Sequence, residues 1–527
     1  MLSQQAKGQS PGCGLLIPAS TGFVDGHDNA SGIGPGDTIC LLPGSRSWLW
    51  IRYLHGTAEE PIVIMNTIGI VAINNFYYGI KIDSCSHIKL SGKGVGAFEY
   101  GITISEIDGG GMSIEGLSTD IEVEGLEISN TTWPGLFCKT DPDCSFTSTR
   151  DKYMMRNISI HDNYFHDIGN EGFYIGNSFY SGETIECNGK DTTLLPHLIR
   201  GLKVYNNILL RTGWDGIQVS CADSGCAIYG NVVYNDSEAE ELNQMSGIIL
   251  GGGSTCDCFN NKVMYGKGTG IEIHGLGGNK IYNNLIVNPG RGYLQEFPYM
   301  NGIYVGDQAT IPGTNFLIAY NTIISPKDFG IDFRSLTTAG NLFANNIVMN
   351  YGRGVSQGNN ISIQNNSTFT SLDPTQFVNM SADDFDLVLT AIEVNTAIPF
   401  PQLNLGFDLL NRNRPFAGVN DIGAFECHDP NLIGVPELIN KPSIQFTITS
   451  ADQPNHLLIR YTVSGNMYTK IGLHDLMGKL TGMIVDKQLS PGEYEQEVDI
   501  SRYSDGVYIF RMTAGNEYIS KKIQLIK

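Results

Sequence analysis

A phrase built on asparagine recurs through the middle of this chain. It reads Tyr205-Asn206-Asn207-Ile208, Tyr229-Gly230-Asn231-Val232, Phe259-Asn260-Asn261-Lys262, Tyr282-Asn283-Asn284-Leu285, Ala319-Tyr320-Asn321-Thr322 and Ala344-Asn345-Asn346-Ile347, with His161-Asp162-Asn163-Tyr164 as a weaker copy. Each copy is followed by a glycine and an alternating strand. Nine residues separate Asn163 from Gly172, Asn207 from Gly216, Asn261 from Gly270 and Asn321 from Gly330, while insertions interrupt Asn231 to Gly247 and Asn284 to Gly302. Short strands at such a period cannot bury a face alone; they must stack on their neighbours. Asparagine suits the turns because it tolerates left-handed backbone and hydrogen-bonds locally. Identical amides at equivalent turns can also stack into a ladder.

These features predict an all-β chain, a right-handed parallel β-helix over about 36–427 after an N-terminal segment and cap at 1–35. The LxxLxL frame and helical returns of a leucine-rich repeat are missing, and an antiparallel sandwich would not keep this register. With 63 glycines and only 17% charged residues, the 527-residue chain suits tight turns better than helices. Its 54 acidic against 33 basic residues give a net charge of −21, which repels nucleic acid and anionic lipid. No apolar run reaches the roughly 18 residues of a membrane span. Eleven cysteines, several close together in CxC and Cx4C spacings without a histidine partner, read as loop disulfides of an oxidising compartment rather than zinc ligands.

Toward the N-terminus, Gly36-Asp37-Thr38-Ile39, Pro61-Ile62-Val63-Ile64-Met65-Asn66 and Gly79-Ile80-Lys81-Ile82 read as further coils. With Asp384-Phe385-Asp386-Leu387, Arg414-Pro415 and Asp421-Ile422-Gly423-Ala424-Phe425-Glu426, the chain resembles the pectate-lyase-like superfamily of right-handed parallel β-helix proteins. That resemblance implies the fold and not one reaction, because the superfamily holds lyases, hydrolases, epimerases and non-catalytic adhesins. Residues 428–443 read as a linker, and 444–527 as a small antiparallel β-sandwich. Gly472-Leu473-His474-Asp475-Leu476-Met477-Gly478-Lys479, Gly506-Val507-Tyr508-Ile509-Phe510-Arg511 and Lys521-Lys522-Ile523 resemble the type A sorting domain of the type IX secretion system. The resemblance implies that secretion machinery as a partner and an extracellular or outer-surface location, reached across the outer membrane of a Bacteroidota-type cell.

Counting from each glycine, alternate residues face inward and are apolar, such as Ile217 and Val219 or Ile271 and Ile273. The outward residues form two columns. One runs Lys81, Thr103, Phe137, Tyr174, Gln218, Ile249, Glu272, Tyr304, Asp332; the other runs Asp83, Ser105, Lys139, Gly176, Ser220, Gly251, His274, Gly306, Arg334. Small residues in the second column predict a groove floor, and the insertions Thr140 to Arg156 and Asn177 to Arg200 predict its walls. The expected ligand is a polysaccharide, with Tyr174, Gln218, Tyr304, Arg334 and Arg211 as candidate binding residues. A lyase would use a base and cations drawn from Lys139, His274, Arg334, Arg150 and Arg211, with Asp141 or Asp143 holding Ca²⁺. A hydrolase would use carboxyls among Glu171, Asp215 and Glu272. A non-catalytic adhesin or self-associating solenoid is the alternative from another class.

Overall fold

The computed structural model describes residues 12–428 and 444–525, apart from 75–76, 95–97, 401, 404, 417, 451–455, 464, 476–479, 504–505 and 515–516. The expected linker from residue 429 on, the first eleven residues of the N-terminal segment, and Leu476-Met477-Gly478-Lys479 of the sorting phrase lie outside the described residues. The chain divides into two compact units, Met1–Asp429 and Pro430–Lys527.

The first unit is a parallel β-helix of three sheets. Sheet 1 stacks 13 strands from Leu15–Ile17 to Ser362–Gln364; sheet 2 stacks 12 from Gly44–Arg46 to Ser367–Phe369; sheet 3 stacks 12 from Phe23–Asp25 to Gly354–Gln357. One coil shows the logic: Lys203–Tyr205 lies in sheet 1, Asn206 and Asn207 turn the chain, Ile208–Thr212 lies in sheet 2, and Ile217–Val219 lies in sheet 3. The inward residues of sheet 3 are shut from solvent from Phe173 to Ile331, among them Ile217, Ile248, Ile271 and Ile303. They join one apolar core that runs the length of the helix.

Two devices set the repeat. At the turn between sheets 1 and 2, the first residue of each pair takes the left-handed conformation, as at Asn206 (φ 54°), Asn260 (φ 53°) and Asn345 (φ 53°). The second residue points its amide inward. Asn163 Nδ2 donates to Asn207 Oδ1, and the chain of donations continues through Asn231, Asn261, Asn284, Asn321, Asn346 and Asn366 at 2.9–3.0 Å. Each amide oxygen also accepts the backbone N–H of the coil before it, as Asn231 Oδ1 does from Asn207 at 3.1 Å. The second device is the glycine before sheet 3. A Cβ on Gly270 would lie 2.5 Å from Ile286 Cγ2 and 2.6 Å from the Gly302 carbonyl oxygen, so the close approach of coils admits no side chain.

Three expectations change. Thr103 and Ser105 belong to Ile102–Ile107 on sheet 2, and the sheet 3 places assigned to them are held by Ser113 and Glu115, paired with Lys81 and Asp83. That coil lacks the asparagine phrase, so its glycines gave no register. Strand pairing begins at Leu15, ahead of residue 36. Parallel stacking ends at Phe369, after which residues up to 428, including the antiparallel pair Phe377–Asn379 and Asp384–Leu387, fold over sheet 2 as an apolar flank containing Phe377, Phe385 and Phe425. Arg414 and Glu426 pair there at 3.0 Å with no exposure, and Arg414 also donates to Asn283 and to the carbonyl oxygens of Asp421 and Gly423. The closing motif is therefore a pin for this flank.

Disulfides join Cys13 to Cys40, Cys144 to Cys187 and Cys226 to Cys256, and Cys85, Cys138, Cys221, Cys258 and Cys427 are buried thiols. No bond links close neighbours in sequence; stacking brings coils, not adjacent residues, together. The second unit pairs Ile444–Ser450, His456–Val463 and Gly492–Asp499 in one antiparallel sheet. Leu480–Leu489, Met467–Asp475, Gly506–Ala514 and Glu517–Leu525 form another. Ile459, Ile471, Leu473 and Phe510 are buried in the core they share.

Candidate active face

Strand register carries one outward column up sheet 3 through Phe137, Tyr174, Gln218, Ile249, Glu272, Tyr304 and Asp332. Lys139, Gly176, Ser220, Gly251, His274, Gly306 and Arg334 follow one position beyond each inward residue, linked by backbone donations such as Gly176 to Cys138 and His274 to Leu250. Lys139 and His274 thus share a face. Four coils separate them, which at about 4.8 Å per coil is roughly 19 Å.

Loops wall this face from both sides. On one side, Thr140 to Arg156 and Asn177 to Arg200 add the strands Met154–Arg156 and Leu198–Arg200 and a hairpin at Glu183–Leu194, and Cys144–Cys187 ties the two insertions together. Arg150, a candidate cation, stacks 4.2 Å from the Tyr180 ring and donates to the Pro196 and Tyr180 carbonyl oxygens, so it binds loop to loop. On the other side stand the insertions of the Asn231–Gly247 and Asn284–Gly302 intervals. They bring Asn243, Gln244, Phe297 and Tyr299 to a cleft of about 670 Å³ over Gln218, Glu272, His274, Tyr304, Asp332 and Arg334. The broken spacing in the sequence was the signal for this second wall.

Inside the cleft, Glu272 Oε1 meets His274 Nε2 at 2.5 Å, and its Oε2 accepts from Ser246 Oγ at 2.5 Å. The His274 ring lies 5.4 Å from that of Tyr304. Burial, with Glu272 and Asp332 nearby, pushes the Tyr304 phenol up. Arg334 pairs with Asp332 at 2.6 Å, yet burial outweighs the guanidinium and leaves the Asp332 carboxyl above its usual range. Gln218 donates to Ser178 Oγ at 2.8 Å and Tyr174 meets the same hydroxyl at 3.0 Å, so both hold the start of the 177–200 wall.

Glu171 and Asp215 occupy the same position on adjacent coils, just before the close-approach glycines: Gly135 N donates to Glu171 O and Gly172 N to Asp215 O. Ser246, Thr269 and Asn301 continue that column beside Glu272. Asp215 has no exposure and Glu171 has 2%. Neither oxygen of Asp215 and not Oε2 of Glu171 has a hydrogen-bond partner among the described residues. Burial pushes Glu171 up to about 7, against the opposing charge of Lys139. Burial, then Glu272, Glu171 and Asp236, hold the Asp215 proton far above the usual carboxylate range. The equally buried Asp236 is pushed up by burial to about 6 and accepts from Ser237.

The remaining candidates separate. Lys139 lies in a lower cleft of about 390 Å³ with Tyr78, Trp133, Phe137 and Asp141. Its ammonium pairs with Asp141 at 2.9 Å and sits 4.5 Å from the Tyr174 ring centre. Burial works against that charge, but Tyr174 and Asp141 outweigh it and raise its pKa, so Lys139 is a cation rather than a base. Asp141 also accepts from Asn177, and Asp143 is bonded to Ser145. The pair does not fit calcium: an ion on Asp141 would face the Lys139 ammonium, and Asp143 is turned to its own loop. Arg211 is on sheet 2, outside the groove, where it grips Asp167 through two bonds of 2.6 and 2.7 Å. It follows the sheet 2 strand rather than the glycine, which turns it away from the groove.

Residues 183–368 match the family described as the right-handed β-helix region, and residues 453–527 match the secretion system C-terminal sorting domain. No curated protein matches the chain. Among solved structures, a lacto-N-biosidase from Eubacterium ramulus is 12% identical over 68% of this chain and 68% of its own, with a TM-score of 0.44. An alginate lyase from a Paenibacillus species is 12% identical over 66% of this chain and 99% of its own, with a TM-score of 0.38. A periplasmic alginate epimerase is 13% identical over 67% and 85%, with a TM-score of 0.35. No helix among the described residues is long and apolar enough to cross a membrane. The chain carries a right-handed parallel β-helix and, later in the sequence, a type IX secretion sorting domain that marks it for export through the outer membrane in Bacteroidota.

Proposed function

We propose that the outer face of sheet 3 is the active face of a glycoside hydrolase acting on an uncharged polysaccharide. The observation that carries this reading is the pair Glu171 and Asp215, two desolvated carboxyls on adjacent coils, with both oxygens of Asp215 and Oε2 of Glu171 left without a hydrogen-bond partner among the described residues. Buried acids are normally paired, and carboxyl oxygens left without partners on the coils of Ser178 and Gln218, which line the upper cleft, suit groups kept for proton transfer. Coils about 4.8 Å apart suit the roughly 5–5.5 Å carboxyl separation of a double displacement. Asp215 keeps its proton and acts as the acid; Glu171, titrating at about 7, supplies the carboxylate. Glu272 and His274 stand above them in the cleft, the charge of Glu272 helping to hold the Asp215 proton.

A lyase reading finds less support. Removing the proton beside a uronate carboxylate calls for an unpaired cation to hold the developing charge. Lys139 is bound to Asp141, Arg334 to Asp332 and His274 to Glu272. A polyuronate would also meet the carboxyls of this face. The test is release of reducing ends from β-1,3-glucan, xylan, galactomannan and dextran, with alginate and polygalacturonate as charged controls. Asp215→Asn and Glu171→Gln should each lower turnover by about a thousandfold, and Arg211→Ala should not lower it. Activity should rise with pH through about 7 as Glu171 ionises. Unsaturated products from the charged polymers would replace this reading with a lyase. Silence on every polymer, with glycan binding or self-association retained, would leave a non-catalytic surface adhesin.

A further inference from the structure

The lower cleft is built differently from the upper one. Gly109, Gly110 and Gly111 form one coil of sheet 3, and the missing side chain at Gly110 lets rings close over it: a Cβ there would lie 3.0 Å from both Phe137 Cε2 and Tyr78 Cε1. Tyr77 packs edge-on against Tyr78 and Trp133, each pair with ring centres 5.0 Å apart. The cluster is not sealed, since Trp133 keeps 41% and Tyr77 45% of its surface exposed. Around it stand Glu115, Thr140, Lys139 and Asp141. Rings with open surface beside a few polar groups suit the apolar face and hydroxyl rim of a sugar, whereas a protein interface favours a broader apolar patch. Phe137 lies in the same column as Glu272, four coils below it.

We infer that the Tyr77–Tyr78–Trp133 cluster is a distal sugar-binding subsite for the glycan chain that crosses Glu171 and Asp215. The inference rests on the proposed hydrolase reading and deepens it: the substrate is a long chain held on both sides of the cut, and the enzyme cuts within chains. Continuity of the column argues for this occupant. A ligand following sheet 3 from the upper cleft passes Gln218, Tyr174 and Phe137 before it reaches Trp133, with Lys139 beside the path. Trp133 shares a coil with Phe137, one below Glu171, whereas Tyr77 and Tyr78 lie three coils, roughly 14 Å, below Glu171. Loss of the Tyr77 ring should therefore weaken polymer binding and leave a disaccharide at the carboxyl site untouched.

The experiment uses the full chain carrying Asp215→Asn, so that binding is read without cleavage. Gel retention is measured in β-1,3-glucan, xylan, galactomannan and dextran, and competition with the matching disaccharides. Trp133→Ala and, separately, Tyr77→Ala should weaken polymer retention by about tenfold with the melting temperature unchanged, and Tyr77→Ala should leave disaccharide competition unchanged. In the Asp215 background, cleavage of polymer should show a raised KM with kcat unchanged. Unaltered retention for both variants, or equal loss for polymer and disaccharide in Tyr77→Ala, overturns the subsite while leaving the hydrolase intact. A parent protein that binds and cuts none of the polymers overturns both.

Discussion

Two columns of buried polar side chains climb this β-helix, and they are opposites. The asparagines at the turn between sheets 1 and 2 satisfy one another, and each also reaches a backbone group of the coil before, as Asn261 Nδ2 does to the Ile228 carbonyl oxygen at 2.9 Å. The acids at the start of sheet 3 are as deeply placed, yet Asp215 has no partner for either oxygen. Both columns arise from the same stacking. One closes its hydrogen bonds along the axis and holds the coils in register; the other interrupts a run of small polar residues with two acids that burial makes costly to ionise. A fold that can satisfy a buried column so fully, and does not do so here, separates what builds the helix from what the helix carries.

Breaking the first column should have the larger effect on stability. Asn261→Leu removes the acceptor of Asn231 Nδ2 and of the Asn231 backbone N–H, and the donor to Asn284 and Ile228. At about 1–3 kcal/mol for each buried group left unmade, a loss of roughly 4 kcal/mol is expected. Denaturant unfolding of the full chain should show the β-helix transition shifted to lower concentration at every pH. An unshifted transition would mean that the ladder is not what holds the coils.

The second column should respond with the opposite sign. The Glu171 carboxyl rises from 4.5 to about 7 on folding, so its contribution is fully present below pH 4.5 and is lost as pH rises through 7. Glu171→Gln should therefore leave stability unchanged in acid and raise it by on the order of 3 kcal/mol at pH 8, while lowering turnover by about a thousandfold. Melting temperatures of the two proteins compared across pH 4 to 8 read this directly. Parallel curves would show that Glu171 is not desolvated as described.

The contrast also marks what the residues reveal before any coordinates. The period, the inward apolar positions and the asparagine stack are written locally, because each coil repeats one set of choices at Asn207, Gly216 and Ile217. The sheet 3 columns follow wherever the phrase is present. They fail at Thr103 and Ser105, where a coil keeps its three strands without the asparagine that would fix its count. Arg211 fails for another reason: the nine residues from Asn207 to Gly216 span sheet 2 and the next turn, and Arg211 falls on the sheet 2 strand with its side chain toward solvent, whereas Asp215 falls on the buried turn. The second wall of the cleft was visible only as broken spacing, since Tyr299 and Gln244 sit in insertions whose direction depends on neighbouring coils. Glu171 and Asp215 could be named from their place before a glycine. That both Asp215 oxygens and Glu171 Oε2 go unpartnered depends on what the adjacent coils fail to supply, and only the assembled stack contains that.

Arg211 provides the smallest and most discriminating test, because it places an acid in the reverse condition on the neighbouring sheet. Asp167 accepts two bonds from Arg211 and one contact from His166 at 2.7 Å, and the guanidinium, ahead of the imidazole, lowers its carboxyl to about 2. A lowered carboxyl contributes stability that is present above its unfolded value near 3.8 and is lost as pH falls through about 2. Arg211 is 44% and Asp167 36% exposed, so solvent and salt screen the pair and the net effect of Arg211→Ala should stay within about 1 kcal/mol. That loss should appear at neutral pH and fade toward pH 2, the reverse of the slope expected for Glu171→Gln, and it should shrink in 1 M salt. Turnover should not change, since the pair faces away from the groove. A fall in turnover at unchanged stability would return Arg211 to the substrate face and undo the division between the two sheets.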